Sequence, residues 1–514
     1  MELLLLLVGS WAVTALARRV DWPAPLVLTA VGIGVSFIPG VPEFGLDPDL
    51  VLLVVLAPLL YSAALDSSYL DIKANIRPIG LLAVGLVLAT TAVVGLVAYW
   101  VVPGLGLAPA LVLGAVVAPP DAVAAVAIGR RLGLPRRAMT LLTGASLGND
   151  ATALTAFKVA VAAAVGGSAI SWGDGLVTFL VAAVGGVAVG LVVAVVVHAV
   201  RLRVGDGALE SALGLLVPFG AYLLAEEVHS SGVLAVVVAG LYLGHNAPAA
   251  GFSTRLQETA VWKSLDVLLE SLVFALIGLQ VRTAVADADP GWDLLGASAV
   301  VLLAAILVRF AWMFPAAYVP RWLFRRIRER EPAPGWRQVT VLGWAGMRGV
   351  VSLAAAAAIP LEMPGHDVVL LLTFVVTVGT LLLQGMTLPA LIRRLGVRDA
   401  GEQERALAEA QVQNNAARAA VSRLEEIVGS SAVPEHLAAR LRALAEHRGN
   451  AAWERLGRQE EESPAAAFRR LRREMLSAER AEFVAARDRR EIDDETLRRV
   501  QRELDLEEAA LSRE

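Results

Sequence analysis

The sequence contains no cysteine and only six histidines, which are scattered without the spacing of metal ligands. It therefore cannot form a disulfide or a thiolate metal site, and its histidines do not indicate a catalytic or metal centre. Charged residues make up 18% of the chain and hydrophobic residues 56%. The charges form no patch typical of nucleic-acid binding, and no apolar run holds a Ser/His or His/Glu pairing typical of a hydrolase. We therefore expect no enzyme, no cofactor and no nucleic-acid partner.

The hydrophobic residues are gathered into long runs between Leu3 and Leu391. A helix of about 20 apolar residues crosses a hydrocarbon core of about 30 Å, and shorter runs suffice where the helix is upright. The runs therefore predict an all-α membrane protein with 13 transmembrane helices, at residues 2–17, 24–38, 49–65, 78–101, 107–128, 138–165, 174–200, 207–226, 231–247, 262–281, 292–318, 338–358 and 367–391.

Basic residues alternate between the loops of this arrangement. The loops after odd-numbered spans hold 21 Lys and Arg residues, whereas the loops after even-numbered spans hold only Arg282. Loops that remain in the cytoplasm are the ones that carry Lys and Arg. The alternation therefore predicts a multi-pass plasma-membrane protein with its N-terminus outside and its C-terminus in the cytoplasm.

The composition changes abruptly near Gly396 to Arg, Glu, Ala and Leu, with apolar residues at helical spacing. This change predicts a transmembrane domain over residues 1–395 and a cytoplasmic helical tail over residues 396–514. Mixed-sign charge on a helix is usually a solvated face, although a regulatory or self-association role of the tail stays open.

Three polar clusters interrupt the apolar runs, APPDAVA at 118–124, GASLGNDATA at 144–153 and GWAGMRGVVSL at 343–353. An ionisable residue in lipid costs roughly 2.5–3.5 kcal/mol even on the mildest scale, so Asp121, Asp150 and Arg348 are candidates for function. At 1.5 Å per residue, all three lie roughly 12–18 Å from the cytoplasmic side. They are therefore expected to meet at one depth.

Two of these clusters contain helix breakers. Pro119 and Pro120 lie within span 5, and Gly346 and Gly349 lie within span 12, so both helices are expected to be discontinuous there. Spans 5 and 12 are seven apart and must run in opposite directions, which is typical of inverted repeats. Paired interrupted helices in such repeats indicate a transport site near the membrane midplane.

Five motifs occur in order over residues 1–400: APPDAVAAVAI, GNDATAL, FALIGLQV, WAGMRGVVSLAAA and LLLQGMTLPALIRRLGV. Together they resemble the bacterial sodium/proton antiporters of the monovalent cation:proton antiporter-1 family. The resemblance implies a 13-helix homodimer in which discontinuous spans 5 and 12 cross beside the Asn-Asp helix. It also implies exchange of Na⁺, or of Li⁺ or K⁺, for H⁺ across the plasma membrane, serving pH and sodium homeostasis.

The resemblance also assigns roles to residues. It implies that Asp150 holds Na⁺ and H⁺ alternately, that Asn149 and Asp121 support this site, and that Arg348 steadies the core electrostatically. Because a single carboxylate would bind one ion or the other, we expect 1:1 electroneutral exchange. Ser146 precedes Asp150 by four residues and shares its helical face, so it is either a cation ligand or a packing hydroxyl. Asp121 could alternatively cap the helix that resumes after the two prolines.

Two acids of the wider family are missing. Ala145 stands where many members have the Glu of a Gly-Glu-Ser sequence, and Ser62 stands where some have the Glu of Phe-Glu-Ala. The first of these acids normally pairs with the arginine at the position of Arg348, which is therefore expected to find another partner in Asp121 or Asp150. Substitution of Ala145 by Glu is expected to be tolerated or to raise activity.

Glu270 and Arg309 lie at matching depths in adjacent antiparallel spans, about two turns from the inner end. We expect them to form a buried ion pair, with participation in the ion path as the alternative. The alternative function for the whole chain is a transport-impaired membrane scaffold or sensor that acts through its tail. Such a role would account for the two missing acids.

Overall fold

A computed structural model describes residues 2–20, 22–39, 51–165, 172–282, 292–331, 333–397, 399, 401–430, 433–454 and 464–513. Over these residues the chain divides into two compact units, Met1–Arg398 and Asp399–Glu514. The described elements of both units are helices, and none is a strand.

Over its described residues the first unit contains seventeen helices of more than three residues, which we number in chain order: α1 Glu2–Arg19, α2 Ala24–Ser36, α3 Val51–Leu65, α4 Tyr69–Ala74, α5 Ile76–Val101, α6 Leu107–Val116, α7 Ala122–Arg131, α8 Arg136–Val165, α9 Trp172–Val204, α10 Gly207–Glu227, α11 Gly232–His245, α12 Phe252–Leu279, α13 Trp292–Leu323, α14 Arg325–Arg330, α15 Trp336–Trp344, α16 Val350–Ala357 and α17 His366–Leu395. Each predicted span coincides with one of these helices or with a pair of them.

Five of the described helices are long and apolar enough to cross a membrane, namely parts or all of α5, α9, α10, α13 and α17. The shorter apolar helices α2, α3, α6 and α11 accompany them. The exact number of 13 crossings therefore stays a prediction, whereas the all-helical, apolar architecture of the unit is observed.

The predicted interruption of spans 5 and 12 is confirmed. Span 5 consists of α6, which ends at Val116, and α7, which begins at Ala122. Span 12 consists of α15, which ends at Trp344, and α16, which begins at Val350. Proline cannot donate the main-chain hydrogen bond that would continue a helix, which explains the first break at Pro119 and Pro120.

Helix α8 carries the Asn-Asp pair and packs closely against α5. A Cβ atom added at Gly148 would lie 2.9 Å from the Ala83 Cβ, and one added at Gly144 would lie 2.6 Å from the Ile79 Cδ1. Small residues permit this approach between membrane helices, where packing rather than the hydrophobic effect drives association. The close packing fixes the rotation of α8 and therefore the direction in which Asp150 points.

Over its described residues the second unit contains four helices with charged surfaces, α18 Glu402–Ser430, α19 Glu435–Glu454, α20 Pro464–Asp488 and α21 Asp494–Arg513. Helix α18 packs on α19, and α20 packs on α21. Ion pairs connect α20 to α21, including Arg472–Glu507 and Arg480–Asp505, both at 2.7 Å. The assignment of this unit to the cytoplasm stays a prediction.

Candidate functional site

The two helix interruptions are bonded to each other. The Asp121 main-chain N–H donates to the Met347 carbonyl at 2.7 Å. The Arg348 Nε donates to the Val117 carbonyl, also at 2.7 Å. The Asp121 N–H and the carbonyls of Met347 and Val117 are main-chain groups that a continuous helix would have satisfied internally. The polar clusters around Asp121 and Arg348 therefore meet in space, as their equal predicted depths required.

The Asp121 carboxylate lies at the beginnings of both resumed helices. Its Oδ1 accepts from the Val123 N–H at 2.8 Å, so Asp121 is the N-cap of α7. Its Oδ2 lies against Gly349, the N-cap residue of α16, where an added Cβ would overlap it. A negative charge is favoured at a helix N-terminus. The capping interpretation of Asp121 is thus observed, and Asp121 also lines the cavity described below.

The Asn149-Asp150 pair lies in the middle of α8. Asn149 is fully buried, and its Nδ2 donates to the Pro120 carbonyl at 3.0 Å, which ties α8 to the first interruption. Asp150 is also buried, with only 4% of its surface exposed. Among the residues that the structure describes, no hydrogen-bond donor contacts its carboxylate. Asp150 is therefore a buried acceptor without a protein partner there.

A cavity of about 620 Å³ reaches Asp150. Its lining includes the exposed Asp66 directly after α3, Asp71 on α4, and Ser146 one turn before Asp150. Ser146 lines the same cavity as Asp150, and its assignment as a cation ligand or as a packing hydroxyl stays a prediction. Six of the eight ionisable residues that line the cavity are acidic, namely Asp66, Asp71, Asp121, Asp150, Asp266 and Glu270, and the other two are Arg130 and Arg136.

Arg348 is bound by main-chain carbonyls, and the expectation that it pairs with Asp121 or Asp150 is wrong. Its guanidinium donates to the carbonyls of Val117, Gly346 and Ala305. Val117 directly follows α6, and Gly346 closely follows α15. The C-terminal ends of helices carry partial negative charge, so the two half-helices solvate the cation in place of a carboxylate. The Asp150 carboxylate is consequently left free for another positive charge.

The predicted Glu270–Arg309 ion pair is also wrong. Arg309 donates through Nε and Nη2 to the Leu342 carbonyl in the last turn of α15, at 3.2 and 3.1 Å. Glu270 instead lines the cavity on α12. Neither residue forms a salt bridge with the other, because equal depth does not fix the direction in which a side chain leaves its helix.

Ala145 and Arg309 share a small cavity of about 20 Å³, which Met313 and Leu342 also border. A longer acidic side chain at position 145 would therefore extend into a cavity that Arg309 lines.

Sequence reasoning missed Asp266. Its Oδ2 accepts a hydrogen bond from the Ser62 hydroxyl at 2.6 Å, and both residues line the cavity. A signal was present, because Asp266, Glu270 and Phe274 recur at intervals of four on α12 and so share one helical face. One turn inside the predicted span, however, an Asp resembles an ordinary interfacial residue.

Comparison with known proteins identifies the family. The model of the sodium/hydrogen exchanger transmembrane family matches residues 3–394. An uncharacterised Na⁺/H⁺ exchanger of Mycobacterium tuberculosis is 33% identical over 97% of this chain and 93% of its own length. A sodium, potassium, lithium and rubidium/H⁺ antiporter of Bacillus subtilis is 31% identical over 72% of this chain and 58% of its own length.

A solved structure shows the same fold. The sodium/proton antiporter MjNhaP1 of Methanocaldococcus jannaschii superposes with a TM-score of 0.60 at 18% identity, covering 77% of this chain and 99% of that chain. At this identity the likeness concerns the fold alone. Together with the family match over the first unit, it leads to one conclusion: the chain belongs to the sodium/hydrogen exchanger family, whose members are multi-pass membrane transporters.

Proposed function

We propose that this protein exchanges Na⁺, with Li⁺ or K⁺ as alternative cations, for H⁺ across the plasma membrane, by competition of the two ions for Asp150. The observation that carries the proposal is the state of that carboxylate. It is buried, it lines a cavity large enough for hydrated ions, and no described residue donates a hydrogen bond to it. A buried carboxylate in this condition requires a compensating positive charge or a proton.

The chemistry of competition follows from burial. Removal from water disfavours the charged form of a carboxyl group, and a second carboxyl group nearby acts in the same direction. Binding of either H⁺ or Na⁺ neutralises the carboxylate and so relieves this cost. Because a single carboxylate carries one negative charge, it binds one of the two ions at a time. High H⁺ therefore displaces Na⁺, and high Na⁺ displaces H⁺.

The coupling to transport follows from charge. A core that carries an uncompensated charge is costly to move past a barrier in lipid, whereas an occupied core is cheaper to move. One half of the transport cycle then moves one Na⁺ in one direction and the other half moves one H⁺ in the opposite direction. Because no net charge crosses the membrane, we propose 1:1 exchange that is insensitive to membrane voltage. Asn149, bonded to the Pro120 carbonyl, and Arg348, bonded to the helix ends, hold the geometry constant during these changes.

The remaining parts of the proposal concern architecture. We take the protein to be a homodimer in which each chain crosses the membrane 13 times and the two interrupted spans cross at the site. The cavity reaches the segment with Asp66 and Asp71, which the charge alternation assigns to the cytoplasm. The structure then corresponds to a state in which Asp150 is accessible from inside the cell.

The test is exchange by purified protein in proteoliposomes with an internal pH indicator. Addition of Na⁺, Li⁺ or K⁺ should cause pH recovery, and Asp150→Asn should abolish it, because a neutral amide cannot take up either ion. Glu362→Gln, which removes an exposed acid outside the cavity, should retain the parental rate. Exchange that persists unchanged in Asp150→Asn would overturn the proposal.

Stoichiometry is measured in the same vesicles by clamping the membrane potential with K⁺ and valinomycin while Na⁺ drives exchange. The rate should not change with voltage. A rate that does depend on voltage would exclude the 1:1 mechanism. If correctly folded parental protein exchanged none of the three cations, the alternative of a membrane scaffold acting through its tail would be favoured.

A further inference from the structure

The acids on α12 have no assigned role in the exchange at Asp150. We infer that Asp266, together with Ser62 and Glu270, forms a second and shallower cation-binding position on the path from the cavity mouth to Asp150. This inference rests on the proposed function, since it describes how the transported cation approaches and is selected.

The two carboxylate oxygens of Asp266 differ: Oδ2 accepts a hydrogen bond, whereas Oδ1 has no hydrogen-bond partner among the described residues. The Ser62 hydroxyl on α3 donates to its Oδ2 at 2.6 Å and fixes the side chain across the cavity wall. Its Oδ1 is buried and accepts no hydrogen bond from the residues that the structure describes. A buried acceptor without a partner is costly, and a cation would relieve that cost.

Glu270 continues the same face of α12 toward the site. Four residues separate it from Asp266, a rise of about 6 Å along the helix. Asp266 lies within electrostatic range of Asp66, and Glu270 lies within range of both Asp266 and Asp121. All four acids line the one cavity that ends at Asp150. They therefore form a series of acids in the cavity that connects the exposed Asp66 with Asp150.

Positive groups near this series do not neutralise it by pairing. Arg130 and Arg136 line the cavity, and Arg18 and Arg130 lie within electrostatic range of Glu270. Arg136 is engaged with Asp71 at 2.7 Å. In the described part of the chain, neither Asp266 nor Glu270 forms a salt bridge. The charge at these two residues is thus available to an ion in the cavity.

The donor set indicates the class of ion. Carboxylate and hydroxyl oxygens are ligands for hard cations. Among the described residues, no three acidic or histidine side chains converge on one point as a metal cluster. A partly hydrated monovalent cation can bind at a single carboxylate and pass from one such position to the next. The position therefore fits the cation that is exchanged, held weakly before it reaches Asp150.

The test compares Asp266→Asn with the parent in proteoliposomes, by measuring the initial exchange rate against Na⁺ concentration. The apparent KM for Na⁺ should rise by about fivefold or more, as expected for loss of one partly buried charge contact, while Vmax changes by less than about twofold. Asp266→Glu, which keeps the charge, should restore the KM to within about twofold of the parent. Ser62→Ala, which releases the carboxylate, should give an intermediate rise.

Three results would overturn the inference. The first is an unchanged KM in Asp266→Asn. The second is an equal loss in Asp266→Asn and Asp266→Glu, which would indicate a packing defect. The third is a difference in KM between Asp266→Asn and the parent that disappears when choline chloride raises the ionic strength. Such a result would show that Asp266 acts only through a long-range electrostatic field and does not bind the cation. Failure of the proposed function is distinguishable, because it appears as exchange that survives Asp150→Asn, whatever the KM of the Asp266 variants.

Discussion

The two buried arginines beside the helix interruptions, Arg309 and Arg348, are compensated by main-chain carbonyls and not by acids. Arg348 is bound at the ends of α6 and α15, and Arg309 is bound by the Leu342 carbonyl in the last turn of α15. A full negative charge would satisfy a buried guanidinium more completely than these dipoles do. The arrangement keeps both arginines away from Asp150, so that its carboxylate can serve transported ions.

At the residue scale we predict that Ala145→Glu is tolerated and raises thermal stability. The introduced carboxylate would lie beside Arg309 across the small cavity and would pair with a charge that now has only a carbonyl acceptor. Breaking such a buried pair typically costs about 3–5 kcal/mol, so completing one should give a measurable part of that range. The measurement is the melting temperature of the purified protein, together with its exchange rate.

The matched control for this prediction is Ala145→Gln, which has nearly the same shape without the charge. It should be neutral or destabilising. If Glu and Gln at this position lowered stability equally, the cavity would be too small for either side chain and the pairing with Arg309 would not form.

At the scale of elements, the four half-helices are matched to charges of the favourable sign. The carboxylate of Asp121 lies at the N-termini of α7 and α16, and the arginines lie at the C-termini of α6 and α15. Helix ends without partners would be costly in a membrane. The interruptions thus place one negative and two positive groups at the centre of the fold.

This arrangement predicts a strong effect of Gly349→Ala. The added Cβ would overlap the Asp121 Oδ2 and would force the carboxylate away from the start of α16. Overpacking of this kind costs typically about 1–3 kcal/mol, and we expect the exchange rate to fall by about tenfold or more. Gly335→Ala is the matched control, because Gly335 is likewise an N-cap residue but has no atom within 4 Å of an added Cβ. Equal exchange rates in the two variants would show that Asp121 can move without consequence.

At the scale of the whole molecule, the absence of cysteine permits a direct test of orientation. Leu361, 84% exposed, lies between α16 and α17 in a loop predicted to be outside, and the exposed Ser430 lies in the predicted cytoplasmic tail. A membrane-impermeant maleimide should label Leu361→Cys only in right-side-out vesicles. It should label Ser430→Cys only in everted vesicles.

The parental chain is the control, because without cysteine it should not react in either preparation. The reverse pattern of labelling would invert the orientation and would place the mouth of the cavity outside the cell. Labelling of both variants from the same side would instead show that the predicted number of spans between them is wrong.

The sequence alone was sufficient to predict those structural features that depend only on the position of a residue along a helix. Buried charges stand out in apolar runs, prolines and glycines interrupt helices, and depth follows from the rise per residue. These rules predicted an all-helical membrane protein, the two interruptions and the meeting of the polar clusters that contain Asp121 and Arg348. The ordered motifs predicted the family, which the comparison with known proteins confirmed.

Only the tertiary structure decided which side chains face each other. Depth gives height in the membrane but not the rotation of a helix, so Glu270 and Arg309 lie at equal depth without pairing. For the same reason the sequence did not predict that Ser62 on α3 would hold Asp266 on α12, more than 200 residues later. Nor could it predict that helix-end carbonyls would bind Arg348, because these acceptors exist only once the two interruptions come together.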